Sequence, residues 1–462
     1  MAIAIVLICL VIGSLAFHLL SPWYFTTIAS NWGAIDDTIQ LTFWITGAVF
    51  ISINIFVAYC LIRYRARPGN KAAYQPENKR LEWWLIGITT IGIGVMLAPG
   101  LNIWARFVNV PADAAIVEVL GQQWHWQYRL PGKDEKLGAV DSKYITENNP
   151  FGMNERDPNG MDDILVSSQE LHLPLNKPVK ILLRSIDVLH NFAVPQFRVK
   201  MDLVPGLVTY IWVTPTRTGT FDLLCNELCG VAHFAMRGKI VVDDSTSYGK
   251  WLELQTTYAQ KLAVPPTNIA IGKKIYATCA TCHGSLGEGK FESHAPKLAG
   301  LGEWYLKRQL NYFKNGIRGS NDNDTYGKIM APMAMILRDQ EAIANVSAYI
   351  KSLPNNPAPT SLQGTAENGK SIFDSTCASC HGSTGEGIKL MHAPRLVGMS
   401  DWYLATQIRN FKLRYRGSHA EDQYGPQMTL MANMLQNDKS INDLLAYIAI
   451  IPNNKPMPTI KE

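Results

Sequence analysis

Three long apolar runs fill most of the first hundred residues, at about 2–20, 41–62 and 84–103. Each is close to the roughly 20 residues that a helix needs to cross the ~30 Å hydrocarbon core of a bilayer. No amphipathic period interrupts the runs, which argues against buried core helices. The pattern therefore predicts a transmembrane region of three helices over residues 1–108.

The loops between these runs differ in charge, and this difference predicts the orientation of the helices. Residues 63–80 carry six basic side chains against one acid, whereas residues 21–40 carry Asp36 and Asp37 and no Lys or Arg. Under the positive-inside rule the basic loop is cytoplasmic, so everything after about residue 105 lies outside. The first run lacks a basic segment before it and a clear cleavage site, which favours an uncleaved helix over a signal peptide.

Between residues 112 and 245 the periodicity changes to short runs of β-branched and aromatic residues, such as "LVTYIWVTP" and "GTFDLLC". Many short strands separated by Pro and Gly turns are typical of a β-sandwich. Residues 133–170 are rich in Asn, Asp, Gly and Pro, and they are predicted to form a long surface insertion. Residues 246–268 are predicted to be a linker.

The string "CNELCGVAHFAM" holds four potential metal ligands on one loop: Cys225, Cys229, His233 and Met236. A fifth, His190, comes from an earlier strand in "DVLHNFAVP". Zinc would accept two Cys and two His but would leave the methionine without a role. A single type 1 copper needs two His, one Cys and a weak axial Met, which leaves one thiolate over. Two coppers bridged by both thiolates would use every ligand.

The last part of the chain repeats itself, because the string that begins at Cys279 recurs at Cys377, 98 residues later. An internal repeat of this kind indicates a duplicated structural unit. Each copy begins with C-x-x-C-H, the attachment signature of c-type haem. The Pro-rich strings "AVPPTN" and "LPNNPAPT" separate the copies. The pattern predicts two all-α cytochrome c domains of class I, residues 269–354 and residues 366–452. Residues 355–365 are predicted to be the linker between them.

In each copy two thiols would bind a haem covalently and the next histidine would lie beneath the iron: Cys279, Cys282 and His283, then Cys377, Cys380 and His381. A methionine as the sixth ligand raises the reduction potential and suits electron transfer. Both copies offer two such methionines: Met330 with Met428, and Met333 with Met431. A rival pair, His294 and His392, would give bis-histidine ligation.

Together, "DVLHNFAVP", "MDLVPG" and "CNELCGVAHFAM" resemble subunit II of haem–copper cytochrome c oxidases, over residues ~40–250. That resemblance implies a cupredoxin-like fold carrying the dinuclear CuA centre. It implies that the thiolates of Cys225 and Cys229 bridge the two coppers. His190 and Met236 would complete one copper, and His233 and the backbone carbonyl of Glu227 would complete the other. His125 and His172 match no ligand position and are expected at the surface or behind the ligands.

Further positions take roles from this resemblance. The Glu227 carboxylate would help to hold a Mg²⁺ at the interface with the catalytic subunit. Trp124, in "GQQWHWQYR", matches the tryptophan through which electrons reach CuA, or is simply a half-buried aromatic of the sandwich. Glu82 resembles the glutamate that feeds a proton channel, although Leu85 stands where the family often has Trp.

The repeated tail resembles tandem di-haem cytochromes c. In that family the ligand methionine stands seven residues before a leucine that opens the last helix. Leu337 and Leu435 fit this leucine, which selects Met330 and Met428 as axial ligands. The family also has a proline whose carbonyl orients the proximal histidine; its counterparts are Pro296 and Pro394.

These expectations converge on electron transfer. A net charge of +5 over 462 residues is no signature of nucleic-acid binding. The apolar runs hold one histidine, His18, so oxygen would be reduced in a partner. We expect a bacterial plasma-membrane subunit that passes electrons from a periplasmic or membrane donor, such as a cytochrome or a quinol–cytochrome c reductase, through two haems and CuA. The electrons would pass to the catalytic subunit I, which would work with the other subunits of a proton-pumping oxidase. The alternative is a nitric oxide reductase subunit, and the order of the two haems stays open.

Overall fold

The computed structural model describes residues 2–21, 26–69, 71, 76–146, 148–166, 168–263 and 267–453. Three helices open the chain: α1 Ala2–Leu20, α2 Gly33–Arg63 and α3 Lys79–Val108. All three are long and apolar enough to cross a membrane. They pack side by side and leave most of their apolar side chains exposed, as lipid-facing helices do.

Both α2 and α3 are longer than the apolar runs that predict them, because their polar flanks are also helical. The first turn of α2 contains Asp36, and α3 is capped by the Asn78 side chain, which accepts the backbone N–H of Leu81. Such a cap satisfies one of the helix's unpaired N–H groups. Residue 70 and residues 72–75 of the predicted basic loop lie outside the described residues.

Two sheets packed face to face form the middle of the chain. The strands are β1 Ala115–Gln122, β2 His125–Leu130, β3 Ile164–Val166, β4 Glu170–Pro174, β5 Val179–Ser185, β6 His190–Val194, β7 Val199–Leu203, β8 Thr209–Val213, β9 Gly219–Cys225, β10 Arg237–Asp243 and β11 Thr256–Thr257. One sheet has the order β11-β3-β2-β1-β5-β8 and the other β4-β10-β9-β6-β7. Alternate residues of β9 are buried, so its period of two places one face in the core.

The membrane region is joined to the sandwich by direct contacts. Trp32, just before α2, is buried in the sandwich core, and its indole N–H donates to the carbonyl of Trp212 at 3.0 Å. The Arg198 guanidinium pairs with the Asp36 carboxylate at 2.7 Å. These contacts fix the sandwich close to the outer end of α2.

Two predictions about loops differ from the structure. The predicted surface insertion buries Phe151 and Met153, and the predicted linker contributes Tyr258 to the same small core. Within that linker lie β11 and two helices, α4 Ser245–Glu253 and α5 Tyr258–Leu262. These helices have nine and five residues, which is too short for a hydrophobic period to mark them in the sequence. Residues 264–266 of "AVPPTN" lie outside the described residues.

Each repeat folds as a small helical unit. The first cytochrome unit contains α6 Ile269–His283, α7 Glu303–Lys314, α8 Thr325–Met335 and α9 Gln340–Ser352; the second contains α10 Ala366–Ile372, α11 Ala378–His381, α12 Asp401–Lys412, α13 Gly425–Asn433 and α14 Asp438–Ile450. In both units the first helix crosses the last at a glycine. A Cβ at Gly272 would lie 2.0 Å from the carbonyl oxygen of Asn345, and one at Gly369 would lie 1.9 Å from that of Asp443.

A single extra residue distinguishes the two units. Gly272 stands seven positions before Cys279, whereas Gly369 stands eight before Cys377. The second unit absorbs this residue in one π-helical turn, Phe373–Cys377, between α10 and α11. Such turns accommodate an inserted residue without ending a helix. Cys279 and Cys377 therefore keep the same place in the two units.

The two cytochrome units face each other across a pseudo-symmetric contact. Arg318 donates to Gln309, Gln407 and the hydroxyl of Tyr403, while Arg416 donates to Gln407, Gln309 and the hydroxyl of Tyr305. Each residue of one set lies 98 positions from its equivalent in the other. The duplication thus relates the two halves of the interface as well as the two folds. The predicted fold class is confirmed: three apolar helices, a β-sandwich and two helical cytochrome c units.

Candidate metal centre and haem sites

Strand β9 delivers Cys225 to the end of the sandwich, and the loop that follows returns across the start of β6. The sulfurs of Cys225 and Cys229 lie 3.8 Å apart. On one side, His190 Nδ1 lies 4.0 Å from the Cys225 sulfur. His190, Cys225 and Cys229 are buried, with their ligand atoms within 4.8 Å of one another.

The other predicted ligands complete this arrangement. The Cys229 sulfur lies 3.5 Å from His233 Nδ1 and 3.8 Å from the sulfur of Met236. The Cys225 sulfur lies 3.3 Å from the carbonyl oxygen of Glu227. Two sulfurs with further donors on either side exceed the four ligands of a structural zinc site. The donor set fits a pair of coppers bridged by both thiolates.

The two thiols share one hydrogen bond. That bond lowers the pKa of Cys225 and raises the pKa of Cys229. Thiolate is the form of cysteine that binds metal. The lowered pKa of Cys225 therefore suits the binding of a soft metal.

Asp187 positions the first histidine and was missed by the sequence analysis. Its carboxylate lies 2.9 Å from His190 Nε2 and accepts the backbone N–H groups of Gln123 and Val188. Burial alone would raise the pKa of Asp187, but these hydrogen bonds outweigh it and lower the pKa. Anchoring Nε2 leaves Nδ1 facing the thiols, as metal-binding histidines require. The only signal in the sequence is an acid three residues before the histidine.

We call residues 225–236 the copper loop. Trp124 lies against this loop and is 5% exposed. Its indole N–H donates to the carbonyl of Cys229 at 3.1 Å, and the Gln123 side chain donates to the same oxygen at 2.7 Å. Gly230 permits this approach, because its φ is +121° and a Cβ would lie 2.9 Å from the Trp124 ring. Trp124 thus belongs to the core of the sandwich and also holds the copper loop through a hydrogen bond.

In the two cytochrome units the predicted proximal histidines are equivalently held. His283 Nδ1 lies 2.8 Å from the carbonyl of Pro296, and His381 Nδ1 lies 2.7 Å from that of Pro394. A proton on Nδ1 leaves Nε2 free to bind iron. A cavity of about 610 Å³, lined by the C-x-x-C-H segments of both units, adjoins these rings.

Buried or half-buried arginines line the same cavity, among them Arg308, Arg318 and Arg416. Nε of Arg308, Nη1 of Arg308 and Nε of Arg318 find no hydrogen-bond partner among the described residues. The hydrogen bonds that Arg318 and Arg416 do make end on neutral amides and hydroxyls. Buried guanidinium groups that make no hydrogen bond to a carboxylate fit the propionates of haem, which are anionic. Arg318 and Arg416 stand 98 positions apart, at equivalent places in the two repeats, and this repetition is the sign of their role that the sequence contains.

The candidate methionines differ in their surroundings. Met428 packs against the core of the second unit, whereas Met431 packs into the core of the sandwich. In the first unit Met330 is half-buried, and Met333 is 39% exposed. His294 and His392 are stacked on Tyr326 and Tyr424, at ring distances of 4.2 and 3.9 Å.

The second cytochrome unit lies directly on the copper loop. The Gln427 side chain donates to the carbonyl of Trp124 at 2.7 Å. Met431 is buried in the same cluster as Cys229 and Trp124, and Cys380 packs against that cluster. The sequence left the order of the two units open, because linkers do not determine which one folds back.

The two unassigned histidines have structural surroundings. His125 is 1% exposed, so it does not lie at the surface, and its ring meets that of His392 at 4.9 Å. His172 pairs with Asp243 at 2.5 Å and stacks on Trp251 at 4.4 Å. The Glu227 side chain is half-buried beside the copper loop, and Glu82 is exposed in the first turn of α3.

Comparisons with known proteins agree with this geometry. Residues 115–245 match the family model described as cytochrome c oxidase subunit II, periplasmic domain, and residues 269–354 and 366–451 match cytochrome c. The chain is 58% identical over 259 residues to the alternative cytochrome c oxidase subunit 2 of Bradyrhizobium diazoefficiens, which covers 56% of this chain and 94% of that protein.

Two further similarities are more distant. Cytochrome c oxidase subunit 2 of Cereibacter sphaeroides is 29% identical over 239 residues, or 48% of this chain and 77% of that protein. The structure of reduced recombinant cytochrome c4 from Pseudomonas stutzeri is 27% identical and covers 40% of this chain and all of that one, with a TM-score of 0.33.

The matched families imply CuA in the sandwich, haem c in the repeats, a role in electron transport and a periplasmic location for the sandwich. The three apolar helices indicate a membrane anchor. The family of the first half of the chain is shown by the Bradyrhizobium diazoefficiens relative, because this chain covers 94% of that protein. The chain therefore belongs to the cytochrome c oxidase subunit II family, extended by two cytochrome c domains.

Proposed function

We propose that this chain is the subunit through which electrons enter a respiratory terminal oxidase of a bacterial plasma membrane. The observation that carries the proposal is the docking of a C-x-x-C-H unit on the copper loop, through Gln427, Trp124 and Met431. Two redox sites in such contact suit fast electron transfer between them. Family membership supports a haem–copper catalytic subunit I as the partner.

The proposed copper ligands are those that the resemblance implies: Cys225, Cys229, His190, Met236, His233 and the Glu227 carbonyl. The proposed haem ligands are His283 with Met330 and His381 with Met428, with thioether bonds at the four C-x-x-C-H cysteines. When bound, the haems and the copper pair carry single electrons from a periplasmic donor towards the catalytic subunit. The chain's own part is to hold these groups close together and dry, which Trp124 and Met431 do at the sandwich.

The order of the units follows from their contacts. Because the second unit lies between the first unit and the copper loop, we assign it the inner position. The outer position then belongs to the first unit, whose Cys282 is exposed. Glu227 is proposed to help bind Mg²⁺ at the subunit interface, and Glu82 to stand at a proton entrance of a pumping partner.

The test is to purify the chain with the large subunit that accompanies it. We expect a c-type haem in each of the two repeats, two coppers in the sandwich, and oxygen consumption that stops when Cys225 and Cys229 are both replaced by Ser. Nitric oxide consumption without oxygen consumption would assign the chain to the alternative reductase. A single haem per chain would contradict the proposed route.

A further inference from the structure

The internal duplication allows the surfaces of the two cytochrome units to be compared position by position. The second unit binds the sandwich through one face: Cys380, Lys389, Tyr424, Gln427 and Met431. Gln427 donates to the Trp124 carbonyl, Lys389 to the Asn148 side chain at 2.5 Å, and the Tyr424 ring lies 6.0 Å from that of His125. The face of the second unit that contacts the sandwich therefore includes Cys380, the second cysteine of its C-x-x-C-H string.

The same positions in the first unit are exposed, although the ring of Phe291 also meets that of Trp402 in the second unit at 5.5 Å. We call them the outer face: Cys282, Phe291, Tyr326, Ile329 and Met333, each 98 positions before its equivalent. All five are exposed, and Ile329 reaches 62%. Met333 is 39% exposed where its equivalent Met431 is 7% exposed. A contiguous exposed apolar patch on a folded protein marks an interaction site.

Charge indicates the kind of partner that this face fits. The segments 278–294 and 325–336, which supply the outer face, contain two acidic and two basic residues: Glu288, Glu292, Lys290 and Lys328. Lys328 is paired with Asp322 at 2.8 Å. The face is therefore apolar and nearly neutral, and it suits a partner whose own contact surface is apolar, as that of the copper loop is.

We propose that the outer face is the docking site for a small soluble redox protein that delivers electrons to the first unit, and that the partner presents an apolar surface over its own redox centre. The contact would repeat, between two proteins, the contact that the second unit makes within the chain. The reduced donor would give up one electron and become oxidised, and the haem that Cys279, Cys282 and His283 would hold would accept that electron. This inference rests on the proposed function.

The test measures reduction of the complete oxidase by two pre-reduced donors, a soluble mono-haem cytochrome c and a soluble type 1 copper protein. A charged side chain in the apolar contact must be desolvated, so Ile329→Lys and Ile329→Glu should each lower the second-order rate of the effective donor at least about tenfold. Leu413→Lys, at a 57% exposed position of the second unit outside the contact, is the matched control and should stay within about twofold. Ascorbate should reduce all four proteins at the same rate.

Binding is measured separately, with the oxidised donor and surface plasmon resonance, so that affinity is read without turnover. We expect the two outer-face variants to lose affinity by about tenfold while raised salt changes it little. Equal rates in Ile329→Lys and wild type, or no reduction by either donor, would overturn the proposal. So would a dimer in light scattering that Ile329→Lys dissociates, because the face would then bind a second copy. Failure of ascorbate-reduced haems to reduce the copper would instead overturn the proposed function.

Discussion

At the scale of single residues, the copper loop depends on a few hydrogen bonds and one glycine. The Cys229 carbonyl is held by two donors, from Gln123 and Trp124, and Gly230 leaves room for the Trp124 ring. Asp187 fixes the ring of His190 from behind. The ligands are therefore oriented by neighbours that bind no metal themselves.

Replacing Asp187 by Asn should weaken copper binding without affecting the haems. The neutral amide cannot anchor the imidazole as the carboxylate does, and loss of such an outer partner costs about 10–100-fold in metal affinity. Copper retained against a competing chelator, together with the copper EPR spectrum, measures the effect. Asp243→Asn removes the same kind of partner from His172, away from the copper loop, and should leave copper affinity unchanged. Equal copper loss in both variants would contradict the positioning role of Asp187.

At this scale the sequence predicts those candidate ligands that lie close together in the chain. Four candidate copper ligands stand within residues 225–236 and each C-x-x-C-H string is continuous, whereas His190 comes from an earlier strand. The roles of Arg308 and Gln427 were missed because their partners are distant in the sequence. His125 was missed for the same reason, since its neighbour His392 belongs to another domain. Asp187 was missed although His190 is only three residues away, because an acid at that spacing is no recognised metal motif.

At the scale of elements, the repeated helices are built to contact each other. Helix α7 supplies Gln309 and helix α12 supplies Gln407, and each amide accepts hydrogen bonds from both Arg318 and Arg416. The apolar runs predicted α1 to α3, but α4 and α5 were missed because helices of nine and five residues are too short for a hydrophobic period to stand out.

Replacing Gln309 by Leu should loosen the contact between the two cytochrome units. One guanidinium hydrogen bond across the contact would be lost, the one from Arg416, so the free energy of separating the units should fall by about 1.5–3 kcal/mol. Hydrogen exchange of α7 and α12 in increasing urea measures this change. Gln340→Leu removes an exposed hydrogen bond to Asn311 and serves as the control. An unchanged exchange profile in Gln309→Leu would show that the interface does not depend on this amide.

At the scale of the whole molecule, the fold arranges its redox domains in series. The first unit touches the second, the second touches the sandwich, and the sandwich is tied to the membrane helices through Trp32 and Arg198. Hydrophobic pattern predicted the domains and their order in the chain. It could not predict their docking, because that depends on surfaces that meet only after folding.

Docking of the second unit on the sandwich should weaken in acid. Burial lowers the pKa of His125 to about 4 and lowers the pKa of His392 as well, and these two rings meet at the contact. Asp187 opposes the shift of His125, while His190 adds to it. Because the docked pKa lies below the usual 6.5, docking is favoured above pH 6.5 and loses stability as the pH falls towards 4.

At pH 5 the contribution lost from His125 alone is about 2 kcal/mol, since each unit of pKa is worth 1.36 kcal/mol. Hydrogen exchange of α13, corrected for the intrinsic pH dependence, should therefore rise more steeply in acid than that of α9. Joint replacement of His125 and His392 by Phe should flatten this pH dependence. Persistence of the acid effect in that double variant would assign it to other groups.

The central claim is that the second cytochrome unit is the immediate neighbour of the copper centre in electron transfer. The most direct measurement is the rate of copper reduction after flash photoreduction of one haem, in two variants that each lack the other haem. With Cys279→Ala/Cys282→Ala, reduction from the second unit should stay as fast as in wild type. With Cys377→Ala/Cys380→Ala, reduction from the first unit should slow by orders of magnitude. Fast reduction in the latter variant and slow reduction in the former would contradict the account.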